Sequence, residues 1–370
     1  MDYLKDLEQV ITINSYTKNA EGVNRVGEIF DIWLQNLGFE AIIYKREDIG
    51  HHRHYKSQHN SSAKKLLLLG HIDTVFPPNE FEEFTEDDEW VYGPGVCDMK
   101  GGNIVFLEAL RALKAKDIQI QNIDILLVSD EETGSDDSKY LSSELAKDYD
   151  YCFVYEAAGV DMEVVTARKG VGTFFIDIQG KAAHAGNHYS DGHDANLEAA
   201  FKLQALVKLT DLSKGTTVNV GKIQGGIGAN TISPASKLTF ELRYKLSEEK
   251  ERVLAEIDKI VSTSFVQGVN STLSGGIQRD VMETSQSSLE LISDIQNITK
   301  HSLKHEERGG VSDANIVSSC GVVTLDGFGP YGDGDHTLKE RALKKSFDER
   351  IELSEKLFTY FIKNLDFKGA

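Results

Sequence analysis

A few short stretches carry side chains that could act together in chemistry. His71 and Asp73 flank Ile72, so in an extended segment both point to the same side. A histidine with a carboxylate two residues on suits a metal ligand and the group that orients it. Asp98 sits in a tight glycine-rich turn, after Gly93-Pro94-Gly95-Val96-Cys97 and before Met99-Lys100-Gly101-Gly102. Such a turn, entering a helix, forces one carboxylate into a crowded place. Glu131 and Glu132 are adjacent acids after an apolar run, and Glu156 repeats the placement after the next run. His336 closes the turn-rich Gly332-Asp333-Gly334-Asp335-His336. With Asp73 set aside as the orienting group, these supply two imidazoles and three or four carboxylates, with no thiolate required. The set matches a two-metal hydrolytic site in which one carboxylate bridges ions ~3.5–4 Å apart. Nitrogen and oxygen donors suit zinc, and manganese or cobalt can substitute.

Rival chemistries find less support. The turn at 93–102 is not a phosphate loop, because GxxxxGK[ST] is missing. A serine hydrolase lacks its GxSxG elbow. Cys97 near His71 suggests a thiol nucleophile, but the neighbouring Asp98 would raise the thiol pKa, which favours a small buried turn residue. His51-His52-Arg53-His54, with His59 nearby, reads as a solvated loop with no strand behind it. Glu80 to Glu89 holds seven acids in ten positions and reads as a solvated acidic face.

The elements that must position these groups follow from apolar periodicity. Val23–Leu37 and Ile104–Leu113 repeat at helical spacing. Leu66–Leu69, Ile123–Val128 and Cys152–Val154 are short apolar runs, expected as strands buried on both faces of a mainly parallel sheet. Each ends abruptly in the polar residues named above, and ligands of open α/β sheets bind beyond the carboxyl ends of the strands. Near Lys169 the pattern changes. Gly172–Gln179, Val218–Ile223, Leu238–Tyr244 and Ser271–Leu273 read as strands, and Asn196–Leu209 and Val253–Val261 as helices. That β-α-β-β-α-β order is ferredoxin-like. Beyond Arg279 the alternation resumes, with Leu289–Leu303 helical, Val322–Leu325 a strand and Ala342–Asn364 helical. The expected fold is α/β, a mainly parallel sheet covered by helices, interrupted by a ferredoxin-like α+β module. Its boundaries are 1–168 and 282–370 for the two parts of the α/β domain and 169–281 for the insertion.

Composition sets outer limits. A chain of 370 residues is more than one compact core usually holds. With 40 basic and 59 acidic side chains the net charge is −19, which argues against a nucleic acid or an anionic membrane surface as partner. No apolar run approaches the ~20 residues of a membrane span. Met1-Asp2-Tyr3-Leu4-Lys5-Asp6 shows no basic region followed by an apolar stretch. Cys97, Cys152 and Cys320 are odd in number and far apart, so a reducing cytoplasm is expected.

Five ordered motifs then resemble a known family. Gly70-His71-Ile72-Asp73-Thr74-Val75-Phe76-Pro77, the Gly93–Gly102 run and Ser129-Asp130-Glu131-Glu132-Thr133-Gly134-Ser135 are similar to successive signatures of the co-catalytic zinc exopeptidases. Gly180-Lys181-Ala182-Ala183-His184-Ala185-Gly186 and Glu306-Glu307-Arg308-Gly309-Gly310-Val311-Ser312-Asp313-Ala314-Asn315 agree. That family includes glutamate carboxypeptidase, aminoacylase, acetylornithine deacetylase and succinyl-diaminopimelate desuccinylase. The resemblance spans nearly the whole chain and is nearest the glutamate carboxypeptidase branch.

The resemblance implies two zinc ions per subunit. Asp98 would bridge them, with His71 and Glu156 on one ion and Glu132 and His336 on the other. Asp73 would orient His71, and Glu131 would be the general base for metal-assisted amide hydrolysis. The insertion is similar to the family's lid or dimerisation domain, which implies a homodimer in which His184 binds the scissile carbonyl oxygen. Glu rather than Asp at position 156 implies substrates with a blocked amine and a free carboxylate. Arg243 and Arg279, with Asn230 nearby, resemble the positions that receive that carboxylate, for which an arginine fork is suited. The implied function is hydrolysis of an amide bond next to a free-carboxylate amino acid, in a small peptide or N-acyl amino acid. The alternatives are an N-acyl-amino-acid deacylase or desuccinylase, a dipeptidase, and a catalytically retired metal-binding homologue.

Overall fold

The computed structural model describes residues 3–60 and 62–368, which form two units. Met1 and Asp2, part of the N-terminal run considered above, lie outside the described residues, as do Ser61, Gly369 and Ala370. One unit comprises Met1–Thr166, Thr284–Arg308 and Ser312–Ala370; the other comprises Ala167–Glu283 and Gly309–Val311.

The first unit is built on a six-stranded sheet in the order Glu40–Tyr44, His52–Lys56, Ile123–Val128, Leu66–His71, Tyr151–Val154, Val323–Leu325. Only His52–Lys56 runs against the rest. Leu66–His71, Ile123–Val128 and Tyr151–Val154 are buried along their whole length. That burial is why, Asp124 and the terminal His71 apart, they read as apolar runs rather than alternating ones. Lys100–Ala115 is buried on nearly every side, packed against Lys344–Asn364, Tyr3–Ile11 and the sheet. One core joins Leu66, Leu68, Ile104, Phe106, Phe153 and Phe358. A small second sheet pairs Gly332–Asp333, Arg341–Leu343, Trp90–Tyr92 and Thr85–Glu86 in that order.

One expectation is overturned. The histidine-rich stretch is not a solvated loop: His52–Lys56 is a strand, and His52, Arg53 and His54 are buried. Their polarity is absorbed by distant partners. His52 Nε2 lies 3.0 Å from Asp137 Oδ1, and His54 Nε2 lies 2.8 Å from the Tyr149 hydroxyl. His59 Nε2 is 2.8 Å from Asp124 Oδ2. These pairings offset part of the desolvation penalty of the buried run, while His54 Nδ1 is left without a partner among the described residues and burial lowers the pKa of His54 to about 4.

The second unit is a four-stranded antiparallel sheet in the order Thr217–Gly225, Ala235–Tyr244, Gly170–Gln179, Asn270–Arg279. Helices Ala195–Val207 and Ser247–Ser262 complete the β-α-β-β-α-β order of a ferredoxin-like module. Burial alternates along Ala235–Tyr244. Phe174, Ile176, Leu238, Phe240, Ala199 and Ile257 share its core, so one sheet face is packed and the other is left half open, as antiparallel sheets allow.

Candidate metal centre

The register of the parallel strands assembles the site. Leu66 pairs with both Ile123 and Tyr151, so three strands end at one level and the polar residues after them converge. Leu66–His71 ends on His71. Ile123–Val128 leads into a single 3-10 turn, Glu131–Thr133, closed by Gly134 at φ 99°. Glu156 follows Tyr151–Val154. Asp98 precedes the Lys100–Ala115 helix. A Cβ on Gly102 would lie 1.8 Å from the Tyr155 carbonyl oxygen, so only glycine lets that helix start this close to the strand end. His336 comes from the loop between Gly332–Asp333 and Arg341–Leu343, at φ 60°.

Asp98 stands between the two imidazoles. Its Oδ1 is 3.1 Å from His71 Nε2 and its Oδ2 is 3.2 Å from His336 Nε2. Glu156 Oε1 lies 3.8 Å from His71 Nε2, and Glu132 Oε2 lies 3.1 Å from His336 Nε2. Ligand atoms of His71, Asp98 and Glu132 all fall within 4.8 Å of one another. His71 Nδ1 is 3.0 Å from the Asp73 carbonyl oxygen, which keeps a proton on Nδ1 and turns Nε2 toward Asp98. His71 and Asp73 are buried, whereas the His336 side chain is 58% exposed.

The electrostatics call for positive charge. Burial and then the charge of Asp98 push the Glu132 carboxyl up to about 8 and Glu156 well above its usual range. Hydrogen bonds to Asp98 and Glu132 raise His336 to about 11. Burial alone would lower His71, but its bonds to Asp73 and Asp98 hold it above the ordinary histidine value. Burial works on Asp98 in the opposite sense and is outweighed by bonds from His336 and His71, which keep it low. Carboxylates crowded closely enough to suppress one another's ionisation, with imidazoles that otherwise carry protons, suit divalent cations. The all-nitrogen-and-oxygen donor set fits zinc, manganese or cobalt. Cys97 is buried, and burial followed by Glu340 and Asp335 pushes its thiol up, which disfavours a thiolate there.

The second unit carries the other four candidates. His184 is exposed, and its Nδ1 accepts main-chain N–H groups from Gly186 and Asn187, each at 3.1 Å. That leaves the proton on Nε2. Asn230 lies beside it, its carbonyl accepting Ala185 N at 2.9 Å. Arg243 and Arg279 both pair with Val171, from the strands on either side. The Arg243 fork is engaged with Glu241, Nε to Oε1 at 2.7 Å and Nη2 to Oε2 at 3.3 Å.

The model of peptidase family M20/M25/M40 matches residues 67–360 of the chain, from the strand that ends on His71 into the last helix. The chain belongs to this peptidase family. As an M20 protein it is a metal-dependent peptidase or amidohydrolase. It is 28% identical to carboxypeptidase G2 of Pseudomonas sp. strain RS-16, over 91% of this chain and 83% of that one. It is 24% identical to a succinyl-diaminopimelate desuccinylase of Helicobacter pylori, over 90% and 88%. Among solved structures, the M20 fold is shared with a tripeptidase from Staphylococcus aureus, at a TM-score of 0.83 and 22% identity, covering 98% of both chains.

Three residues that hold this M20 site were not apparent from sequence. Thr17 Oγ1 donates to Asp73 Oδ2 at 2.6 Å, and Asn103 Nδ2 donates to the His71 carbonyl at 2.7 Å. Glu340 accepts main-chain N–H groups from the turn that carries Asp98. Each lies more than 25 residues from the group it serves, and none sits in a motif of its own. Only the position of Glu340, four residues after His336, offered a signal.

Proposed function

We propose that this M20 protein is a di-zinc amidohydrolase that releases an amino acid with a free carboxylate from a small peptide or N-acyl amino acid. The observation that carries the reading is the placement of Asp98, one oxygen toward each imidazole at 3.1 and 3.2 Å, with Glu156 on the His71 side and Glu132 on the His336 side. In this reading His71, Glu156 and Asp98 hold one ion, and Glu132, His336 and Asp98 the other. Zinc, when bound, acts as a Lewis acid and lowers the pKa of a water from 15.7 towards ~7.

The chain's own groups do the rest. Glu131, on the 3-10 turn beside Glu132, takes a proton from the attacking water as the new C–O bond forms. It then delivers that proton to the amine nitrogen as the C–N bond breaks, so the products are a carboxylic acid and an amine. Asp73 fixes the position of both partners, since its carboxylate accepts the N–H groups of Glu131 at 3.3 Å and Glu132 at 3.2 Å. His184, with its proton on Nε2, is assigned to donate to the carbonyl oxygen as negative charge develops there; a well-placed donor of this kind contributes ~3–4 kcal/mol. Arg243 and Arg279 are assigned to the substrate carboxylate, which would displace Glu241 from the Arg243 fork, and Asn230 to the same substrate.

Similarity to carboxypeptidase G2 over most of both chains supports the carboxypeptidase form of the reaction. Similarity to the desuccinylase supports a second reading, an N-acyl-amino-acid deacylase or desuccinylase. The proposal includes a cytoplasmic homodimer formed through the inserted unit. Leu197, Phe201 and Val207, exposed on the Ala195–Val207 helix, and Ile223, exposed on the edge strand Thr217–Gly225, support the dimer. Three free cysteines support a reducing compartment.

The deciding experiment is amine release from acyl-glutamates, other N-acyl amino acids and free dipeptides, with and without added zinc. Zinc-dependent release from acyl-glutamate favours the carboxypeptidase form, and release mainly from succinyl or acetyl substrates the deacylase form. Turnover of free dipeptides alone contradicts the use made of Glu156, and no turnover with two zinc ions bound contradicts the catalytic assignment.

A further inference from the structure

Glu340 lies four residues beyond His336 and is completely buried. An uncompensated carboxylate in that position is costly, so its partners reveal what it is for. Among the described residues, the main-chain N–H groups that reach its carboxylate belong to one short segment. Gly95 N donates at 2.9 Å to Oε2 and 3.0 Å to Oε1, and Cys97 N and Asp98 N donate to Oε1 at 3.1 Å each. The Glu340 carbonyl accepts a fourth N–H from that segment, Gly93 N at 3.3 Å. Gly95 has φ 87°, and a Cβ there would meet Lys100 Cε at 2.8 Å, so the turn that aims its N–H at Glu340 needs glycine.

The strands on either side align with this clamp. Arg341–Leu343, which starts one residue after Glu340, pairs with Trp90–Tyr92, which ends one residue before Gly93. The segment 336–340 therefore touches the Asp98 turn at both ends. At one end His336 Nε2 is 3.2 Å from Asp98 Oδ2, and at the other Glu340 Oε1 is 3.1 Å from Asp98 N. The two sides of Asp98 are not equally supported. His71 is buried at the end of a central strand and tied to Asn103, whereas His336 is half exposed on a loop.

We infer that Glu340 is a positioning residue that clamps the His336 loop to the Asp98 turn and thereby sets the geometry of the second metal half-site, the one formed by Glu132, His336 and Asp98. The inference rests on the di-metal reading above. In this role Glu340 acts through the main chain of the Asp98 turn and the loop of His336. Partners of this kind, behind the ligands themselves, typically change metal affinity 10–100-fold when removed.

The test is titration of the metal-free full-length protein with Co2+, read by calorimetry and by the d–d absorption of the bound ion. Wild type is expected to take up two ions. Glu340→Gln keeps the shape but puts an NH2 or a neutral oxygen where the turn presents N–H groups. It should hold the first ion within about 3-fold of wild type, weaken the second 10–100-fold and alter its absorption band. His336→Ala should lose the same second ion, and the double variant should lose no more than His336→Ala alone. Two ions bound by Glu340→Gln with wild-type affinities and spectrum would overturn the role of Glu340 and leave the di-metal reading intact. Fewer than two ions on wild type would overturn the di-metal reading itself. A measurement on wild type covers the case of a variant that does not fold. Hydrogen exchange of residues 93–98 in the metal-free protein should be slow, and exchange there at the rate of an unstructured segment would refute the clamp.

Discussion

His71 is held by the main chain of Asp73 more closely than by its side chain: Nδ1 lies 3.0 Å from the Asp73 carbonyl oxygen and 3.4 Å from Oδ1. The carboxylate is largely engaged elsewhere, with Thr17 and with the N–H groups of Glu131 and Glu132. Asp73 thus joins two tasks, orienting His71 through its backbone and fixing the Glu131–Glu132 turn through its side chain.

Asp73→Asn should separate these functions. The carbonyl that orients His71 remains, while an amide cannot accept the Thr17 and N–H bonds as a carboxylate does. Metal affinity is expected to fall by ~10-fold, the lower end for partners behind a ligand, and kcat by ~100-fold or more, in the range for a displaced general base. Parallel metal titration and steady-state kinetics check it; equal losses in both would contradict the division.

Glu131→Gln should retain both ions and lose ~10²–10⁴ in kcat, the usual contribution of a positioned acid–base group. Metal content by atomic absorption together with turnover on the best substrate of the panel decides the matter. Turnover at the wild-type rate would mean that another group accepts the proton.

Metal affinity should rise with pH. In the metal-free protein His336 is raised to about 11, and His71 also lies above its ordinary value, so near neutral pH both hold protons that a metal must displace. Each displaced proton strengthens the apparent affinity ~10-fold per pH unit. Competition with a chromophoric chelator at pH 6, 7 and 8 should show a gain of at least that size, and calorimetry in two buffers should show proton release. A flat profile would count against protonated imidazoles.

In the second unit, Glu249 should govern acid stability. Its carboxyl is lowered to about 2, chiefly by the hydrogen bond from Arg252, with burial opposing and Lys214 and Thr216 adding to the fall. A carboxyl whose folded value is depressed contributes stability above its unfolded value of about 4.5, and that contribution disappears as pH falls through about 2. Glu249→Gln should therefore be less stable than wild type at pH 6, with the gap closing between about 4.5 and 2. Denaturant midpoints measured across that window test the sign; a gap that widens on acidification would reverse it.

The fold was legible where local pattern and tertiary environment agree. Leu66–Leu69 is uniformly apolar, and Ile123–Val128 is apolar apart from the paired Asp124, because both faces of their strands are covered. Ala235–Tyr244 alternates because one face is left more open. His52–Lys56 looks like a polar loop in sequence because its histidines and arginine are paired with Asp137, Tyr149 and Asp31, at least 22 residues away. No local signal distinguishes such a strand from a polar loop.

The same division runs through the site. Sequence alone determined which side chains were available: two imidazoles and a group of carboxylates, each stationed at the end of an apolar run or in a glycine turn, in an order that resembles one family. Their types and spacing are local properties, written directly in the chain. Tertiary structure decided which oxygen of Asp98 faces which histidine, which atom of Asp73 holds His71, and that a buried Glu340 grips the turn beneath Asp98. Those depend on strand register and on pairings across as many as 245 residues. Burial and hydrogen bonding, which set the charge and aim of every group here, exist only once the chain is folded.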